Sequence, residues 1–115
     1  LGKTNWLGVP KDAIKYDKDK PKMALLPPKA LKGIAEIMTY GSKKYNAFNY
    51  KRGKGLDWDQ LYSACQRHLN AWNDGEDIDP ESGRPHLYHA GCCLLMLIDL
   101  VDSEIGKDTR FNESD

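Results

Sequence analysis

Every histidine of this chain, His68, His86 and His89, falls in one stretch that also carries Glu76, Asp77, Asp79 and Glu81. Imidazole and carboxylate are the side chains that hold a divalent cation or move a proton near neutral pH, so this stretch is the first candidate for an active site. His86 and His89 stand three apart, which places them on one face of a helix. A turn running into that helix delivers Glu76 and Asp79 to the same end. The expected cation ligands are Glu76, Asp79, His86 and His89, a set that suits magnesium, manganese or cobalt, with zinc also possible. The competing reading leaves the carboxylates solvating a turn and the histidines packed in a helical core; the clustering favours the site. Cys92 and Cys93 are adjacent, hence about 100° apart around a helix, and belong to the core.

A second cluster lies upstream. Lys43, Lys44 and Tyr45, with Asn46, Phe48, Asn49 and Tyr50, combine cations that suit phosphates with rings that can stack on a base and amides that can read a base edge or sugar. The alternative is an exposed lysine pair beside aromatics that anchor a loop, which is the better reading for Phe48 and Tyr50 taken singly. Arg67 and Arg84 are each either a phosphate clamp or a partner for nearby carboxylates.

The elements that position these residues read as helices. Pro27-Pro28 opens the first, Leu31, Ile34, Ala35 and Met38 recur at helical spacing, and Gly41 is expected to stop it, giving a helix over roughly residues 28–40. Residues 41–56 have the composition of a loop or short irregular helix. Asp57 with Gln60 three residues on forms a capping box for the second helix, whose apolar face, Leu61, Ala64, Cys65, His68, Leu69 and Trp72, runs to Gly75. The third follows Pro85 and contains the apolar run 90–98, which a three-helix monomer can hardly cover on all sides, so burial between subunits is expected. No strand pattern of useful length is present. The expected fold is an all-α bundle of three main helices in one domain over residues 1–115, with an irregular extended arm over 1–22, a flexible tail over 106–115, and completion by oligomerisation.

Bulk properties narrow the class. The formal net charge is zero, yet residues 1–56 hold 13 Lys or Arg against 4 Asp or Glu, and residues 57–115 hold 4 against 13. Such halves either pair with each other, within a chain or between chains, or present cations to phosphates and carboxylates to a metal in one site. An acidic half argues against a polynucleotide partner. No apolar run is long enough to span a bilayer and no leader pattern is visible, so no membrane partner and a cytoplasmic location are expected. Three cysteines, two of them adjacent in an apolar run, read as buried free thiols. No Gly-rich phosphate loop, Cys-x-x-Cys pair or His-Glu-x-x-His is found.

Three blocks together carry a family resemblance: Pro-Lys-x4-Pro-Pro-x-Ala-Leu (21–31), Gly-x-x-Lys-Tyr-x3-Asn-Tyr (41–50), and Arg-His-Leu-x-Ala-Trp-x-x-Gly-Glu-x-x-Asp-x-Glu-Ser-Gly-x2-His-Leu-x-His-Ala (67–90). The chain resembles, over about residues 18–103, the phage dATP/dGTP diphosphohydrolases of the MazZ type, a branch of the MazG-like all-α nucleotide pyrophosphohydrolases. The resemblance implies metal-dependent hydrolysis of purine deoxynucleoside triphosphates to the monophosphate and pyrophosphate, in the cytoplasm of a phage host. MazG-like enzymes usually carry Glu-x-x-Glu on one helix and Glu-x-x-Asp on the next. Here Gln66 to Ala71 and His86-x-x-His89 stand at those spacings, leaving Glu76 and Asp79, with the histidines, as the substitute ligands.

On this reading Glu76, Glu81 and His68 are the candidate catalytic residues, with Glu81 or His68 as base. Lys43, Lys44, Arg67 and Arg84 meet the phosphates, and Tyr45, Asn49 and Trp72 seat the purine and sugar. Homo-oligomerisation to a dimer or tetramer accompanies it. The alternatives are a phage protein that binds or sequesters a nucleotide without turnover, and a helical structural subunit whose cluster binds metal for stability.

Overall fold

The computed structural model describes residues 8, 9 and 11–114. Residues 1–7 and 10 of the expected arm, and Asp115 of the expected tail, lie outside the described residues. Among those described, the chain forms α1 (Pro28–Tyr45), α2 (Trp58–Asn73), β1 (Ile78–Asp79), β2 (Arg84–Pro85) and α3 (His86–Asp102), with single 3-10 turns at Met23–Leu25 and Asn49–Lys51. This is the expected all-α architecture of three main helices.

Proline at the first helical position starts α1, where a missing N–H costs nothing. The helix does not stop at Gly41, as expected, but runs one more turn to Tyr45. What ends it is Asn46 at φ 91°, whose N–H returns to the Ser42 carbonyl; asparagine tolerates the left-handed side and closes helices much as glycine does. The extra turn carries Lys43 and Lys44 at the negative end of the helix dipole. The Asp57–Gln60 capping box predicted from sequence is present, with the Asp57 N–H donating to Gln60 Oε1 at 2.9 Å.

Between α2 and α3 the acidic turn folds into a two-residue antiparallel pair, Ile78 opposite Pro85 and Asp79 opposite Arg84. No strand was expected here, and none could be read from periodicity: the pairing is made by the turn itself. Gly83 sits at φ 70° and donates to the Asp79 carbonyl at 2.7 Å, closing the loop that Pro80 begins.

Helix α3 packs along α2 and, over a shorter contact, against α1. The second contact interlocks small against large residues: the Tyr88 ring lies over Gly33, and the Ile34 side chain lies over Gly91. A methyl group at Gly33 would stand 2.6 Å from the Tyr88 ring. Gly33→Ala is therefore expected to destabilise the protein, because overpacking costs of about 1–3 kcal/mol outweigh a gain in helix propensity of about 1 kcal/mol. Urea unfolding checks this, and a variant more stable than wild type would contradict the packing described.

Among the described residues the core is small: Ile37, Leu61, Ala90, Cys92, Cys93 and Leu100 are the buried apolar ones. The other face of α3, with Leu94, Leu95, Ile98 and Val101, is exposed in the single chain. The three cysteines are free, and burial pushes Cys92 and Cys93 up to about 11 and about 12, which keeps both protonated. Past α3 the first residues of the tail lie back across the start of α2. Trp58 Nε1 donates to the Ile105 carbonyl at 2.8 Å, the Trp58 N–H donates to the Lys107 carbonyl at 3.0 Å, and the Asp59 N–H donates to Thr109 Oγ1 at 2.9 Å. No helix among the described residues is long and apolar enough to cross a membrane.

Candidate active site

An open cleft of about 940 Å³ is bounded by the last turns of α1, the loop after it, the inner face of α2, the hairpin and the first half of α3. Its size falls within the range of small-molecule sites. Each wall follows from a local feature already described. The late end of α1 brings Lys44 and Tyr45 to the rim, the apolar periodicity of α2 turns His68 inward, and the hairpin points Asp79, Glu81 and Ser82 at the start of α3.

At one end of the cleft the imidazoles meet. His68 and His89 stack, ring centroids 4.5 Å apart and planes 10° apart. His89 Nε2 lies 3.6 Å from Asp79 Oδ2 and shares a 2.6 Å hydrogen bond with Ser82 Oγ. The other Asp79 oxygen accepts the Glu81 backbone N–H at 2.9 Å, which fixes the carboxylate. One ligand atom from each of His68, Asp79 and His89 falls within 4.8 Å of the other two. Both rings have their pKa lowered from the ordinary 6.5, chiefly by burial, so each is neutral and carries one ring lone pair at neutral pH. Two neutral imidazoles and a carboxylate are a donor set that fits a divalent transition metal, and fits magnesium less well, since magnesium prefers oxygen.

Behind this triple sits a second pair. His86 is buried, and its Nε2 donates to Glu76 Oε1 at 2.6 Å; its Nδ1 lies 2.9 Å from His68 Nδ1. The four ligands expected from spacing thus divide: Asp79 and His89 face the triple, while Glu76 and His86 face each other. His68, expected as a catalytic residue, joins the triple.

The phosphate-binding candidates divide too. Lys44 and Arg67 line the cleft with Tyr45 and Asn49. Lys44 Nζ is 3.4 Å from Glu81 Oε1 across the mouth and 5.1 Å from the centroid of the Tyr45 ring. Lys43 and Arg84 instead border a shallow depression outside the cleft, where Arg84 stacks on Tyr40 at 4.5 Å and donates to the Ser82 carbonyl. Trp72 is exposed at the end of α2 and is not among the residues that line the cleft. Tyr50 is an anchor: its hydroxyl donates to Asp99 Oδ2, where Lys51 also donates. Phe48 is exposed. Ser82 and the His68–His86 contact were not anticipated. The contact joins side chains 18 residues apart and depends on how two helices are rotated, which residue spacing does not reveal.

The proton balance of the site sets a pH dependence. Burial makes folded His68 and His89 resist protonation, so as the pH falls below 6.5 the unfolded chain binds protons that the folded chain refuses. Stability is then lost as acid is added, and is fully present above 6.5. The melting temperature of the metal-free protein is expected to fall between pH 7.5 and 5.5, with a shallower fall when both residues are asparagine. Equal slopes in the two proteins would contradict it.

A helical domain whose cleft joins an imidazole–carboxylate triple to a lysine-bearing rim is the class that this geometry defines. The sequence model of the family described as "dATP/dGTP diphosphohydrolase, N-terminal" matches residues 10–110, and the chain belongs to that family. It is similar to a curated protein of Salmonella phage PMBT28 named dATP/dGTP diphosphohydrolase, at 29% identity over 97 residues, covering 84% of this chain and 32% of the relative. The chain thus spans about a third of that relative's length. No solved structure matches.

Proposed function

We propose that the chain hydrolyses purine deoxynucleoside triphosphates, dATP or dGTP, to the monophosphate and pyrophosphate, with a divalent metal held by His68, Asp79 and His89. The observation that carries this reading is the meeting of those three side chains in a cleft whose rim bears Lys44; the family and the named relative agree with it. When bound, the cation supplies charge for the triphosphate and acidifies a water. Manganese, cobalt or zinc suits the two nitrogen donors better than magnesium.

Lys44 and Arg67 hold the outgoing pyrophosphate, and the Tyr45 ring and Asn49 amide seat the base and sugar. Water attacks the α-phosphorus, a P–O bond forms as the bond from that phosphorus to the bridging oxygen breaks, and pyrophosphate carries away the electron pair. Glu81 takes the proton of the attacking water. Its ion pair with Lys44 gives way when the triphosphate draws the lysine, so the base is freed as substrate arrives.

A second chain completes the molecule. The exposed apolar face of α3 and the opposed charges of the two halves favour a homo-oligomer. The place of action is the cytoplasm of a phage host.

Incubation with each deoxynucleoside triphosphate and manganese, cobalt or magnesium, with products separated by chromatography, tests the reading. Equimolar dNMP and pyrophosphate from the purine substrates, fastest with manganese or cobalt, is the expected result. Unchanged nucleotide with every metal refutes hydrolysis, and orthophosphate release refutes the site of attack.

A further inference from the structure

The hydrogen bonds behind the triple fix more than the position of a ring. A carboxylate has no proton to give, so the proton in the 2.6 Å bond between Glu76 Oε1 and His86 Nε2 sits on the imidazole. With that ring singly protonated, its lone pair sits at Nδ1. His86 Nδ1 lies 2.9 Å from His68 Nδ1; one proton fills that gap, and with the His86 lone pair facing it His68 provides the proton. His68 is then protonated at Nδ1, and its Nε2 carries the lone pair.

We propose that Glu76 is a positioning residue: acting through His86, it holds His68 in the Nδ1–H form and so leaves Nε2 as the electron-pair donor for the cation. The inference rests on the hydrolase reading only for the cation; the proton arrangement stands apart from it. The layout supports an indirect role. His86 is almost enclosed, with a side-chain exposure of 6%, whereas Glu76 reaches it from a half-exposed position at 53%, and the His86 backbone N–H is pinned to the Asp77 carbonyl at 2.9 Å. Glu76 is not among the residues lining the cleft. Metal-ligating histidines are commonly oriented by a carboxylate on the far nitrogen; here a second imidazole stands between the two, which transmits the choice of proton position across a buried ring.

The half-exposed position of Glu76 lets it be changed without opening the core. Long-range 1H–15N spectra of the metal-free protein at pH 8 read which ring nitrogen of each histidine bears the proton. In wild type, His68 should show a protonated Nδ1 and a bare Nε2. In Glu76→Ala it should relax to a mixture, and in Glu76→Gln, whose side-chain carbonyl still accepts from His86, the wild-type pattern should return. Calorimetric titration with manganese should show affinity weaker by about 10-fold or more in Glu76→Ala and largely restored in Glu76→Gln. A His68 protonated at Nε2 in wild type, a pattern unchanged in Glu76→Ala, or manganese affinity equal in Glu76→Ala and wild type would each overturn the proposal. Loss of nucleotide turnover by the wild type would overturn the hydrolase reading alone, because the ring spectra judge the proton chain without substrate or metal.

Discussion

Asp79→Asn is expected to lower dATP and dGTP turnover by about 100-fold or more with manganese present, since changing even an outer partner of a metal site costs about 10- to 100-fold. Asp79 is the carboxylate of the triple, its side chain only 15% exposed, and one oxygen is already held by the Glu81 N–H. Asparagine can keep that hydrogen bond through its own carbonyl but brings no negative charge to the cation. The fold should survive, so circular dichroism and melting temperature should match wild type while manganese binding and turnover disappear. Turnover within a few-fold of wild type would remove Asp79 from the reaction. A variant that no longer folds would show the residue to be structural, as the key to the hairpin.

The second large effect is on stability. Leu100 is the largest side chain with no exposure at all, and it sits on α3 where the Ile105 N–H returns to its carbonyl at 2.9 Å. Truncating a fully buried leucine removes its transfer energy and leaves a cavity, so Leu100→Ala is expected to cost about 2–5 kcal/mol. With so few enclosed apolar residues the chain has little reserve. Chemical denaturation should therefore place the midpoint of this variant at clearly lower denaturant than that of wild type. A loss below about 1 kcal/mol would mean that the site collapses freely and that α3 is less tightly seated than its burial indicates.

These two residues mark what the sequence made legible and what it did not. The three helices could be read because each has a local cause: proline at the start of α1, the Asp57–Gln60 box at the start of α2, the apolar run of α3. His68 could be read as inward-facing because it shares the period of Leu61, Ala64 and Cys65. The gathering of histidines and carboxylates at one end followed from the short turn between α2 and α3. Partner choice within that gathering was not legible. Glu76 and Asp79 are three residues apart and equally acidic, yet one turns to His86 and the other to His89, because Asp79 is held in β1 of the hairpin while Glu76 lies ahead of it. Lys43 and Lys44 are neighbours, but the extra turn of α1 puts about 100° between them, so only Lys44 reaches the cleft. Gly41 misled because a glycine inside a helix is a tolerated cost, whereas the terminator was an asparagine that could take a positive φ.

The exposed apolar residues of α3 bear on the same division. A run of that length promised burial on several sides, and α1 and α2 supply only part of it; the remaining face is where a second copy of the chain is proposed to dock. Light scattering at increasing concentration reads that association directly.

The most direct measurement of the central claim is a crystal structure grown with manganese and a non-hydrolysable dGTP analogue, with the metal located by its anomalous scattering. The proposed site requires a single strong peak bonded to His68, Asp79 and His89, with the triphosphate reaching toward Lys44. A peak ligated by Glu76 or Glu81 without the histidines, or a nucleotide seated outside the cleft, would contradict it.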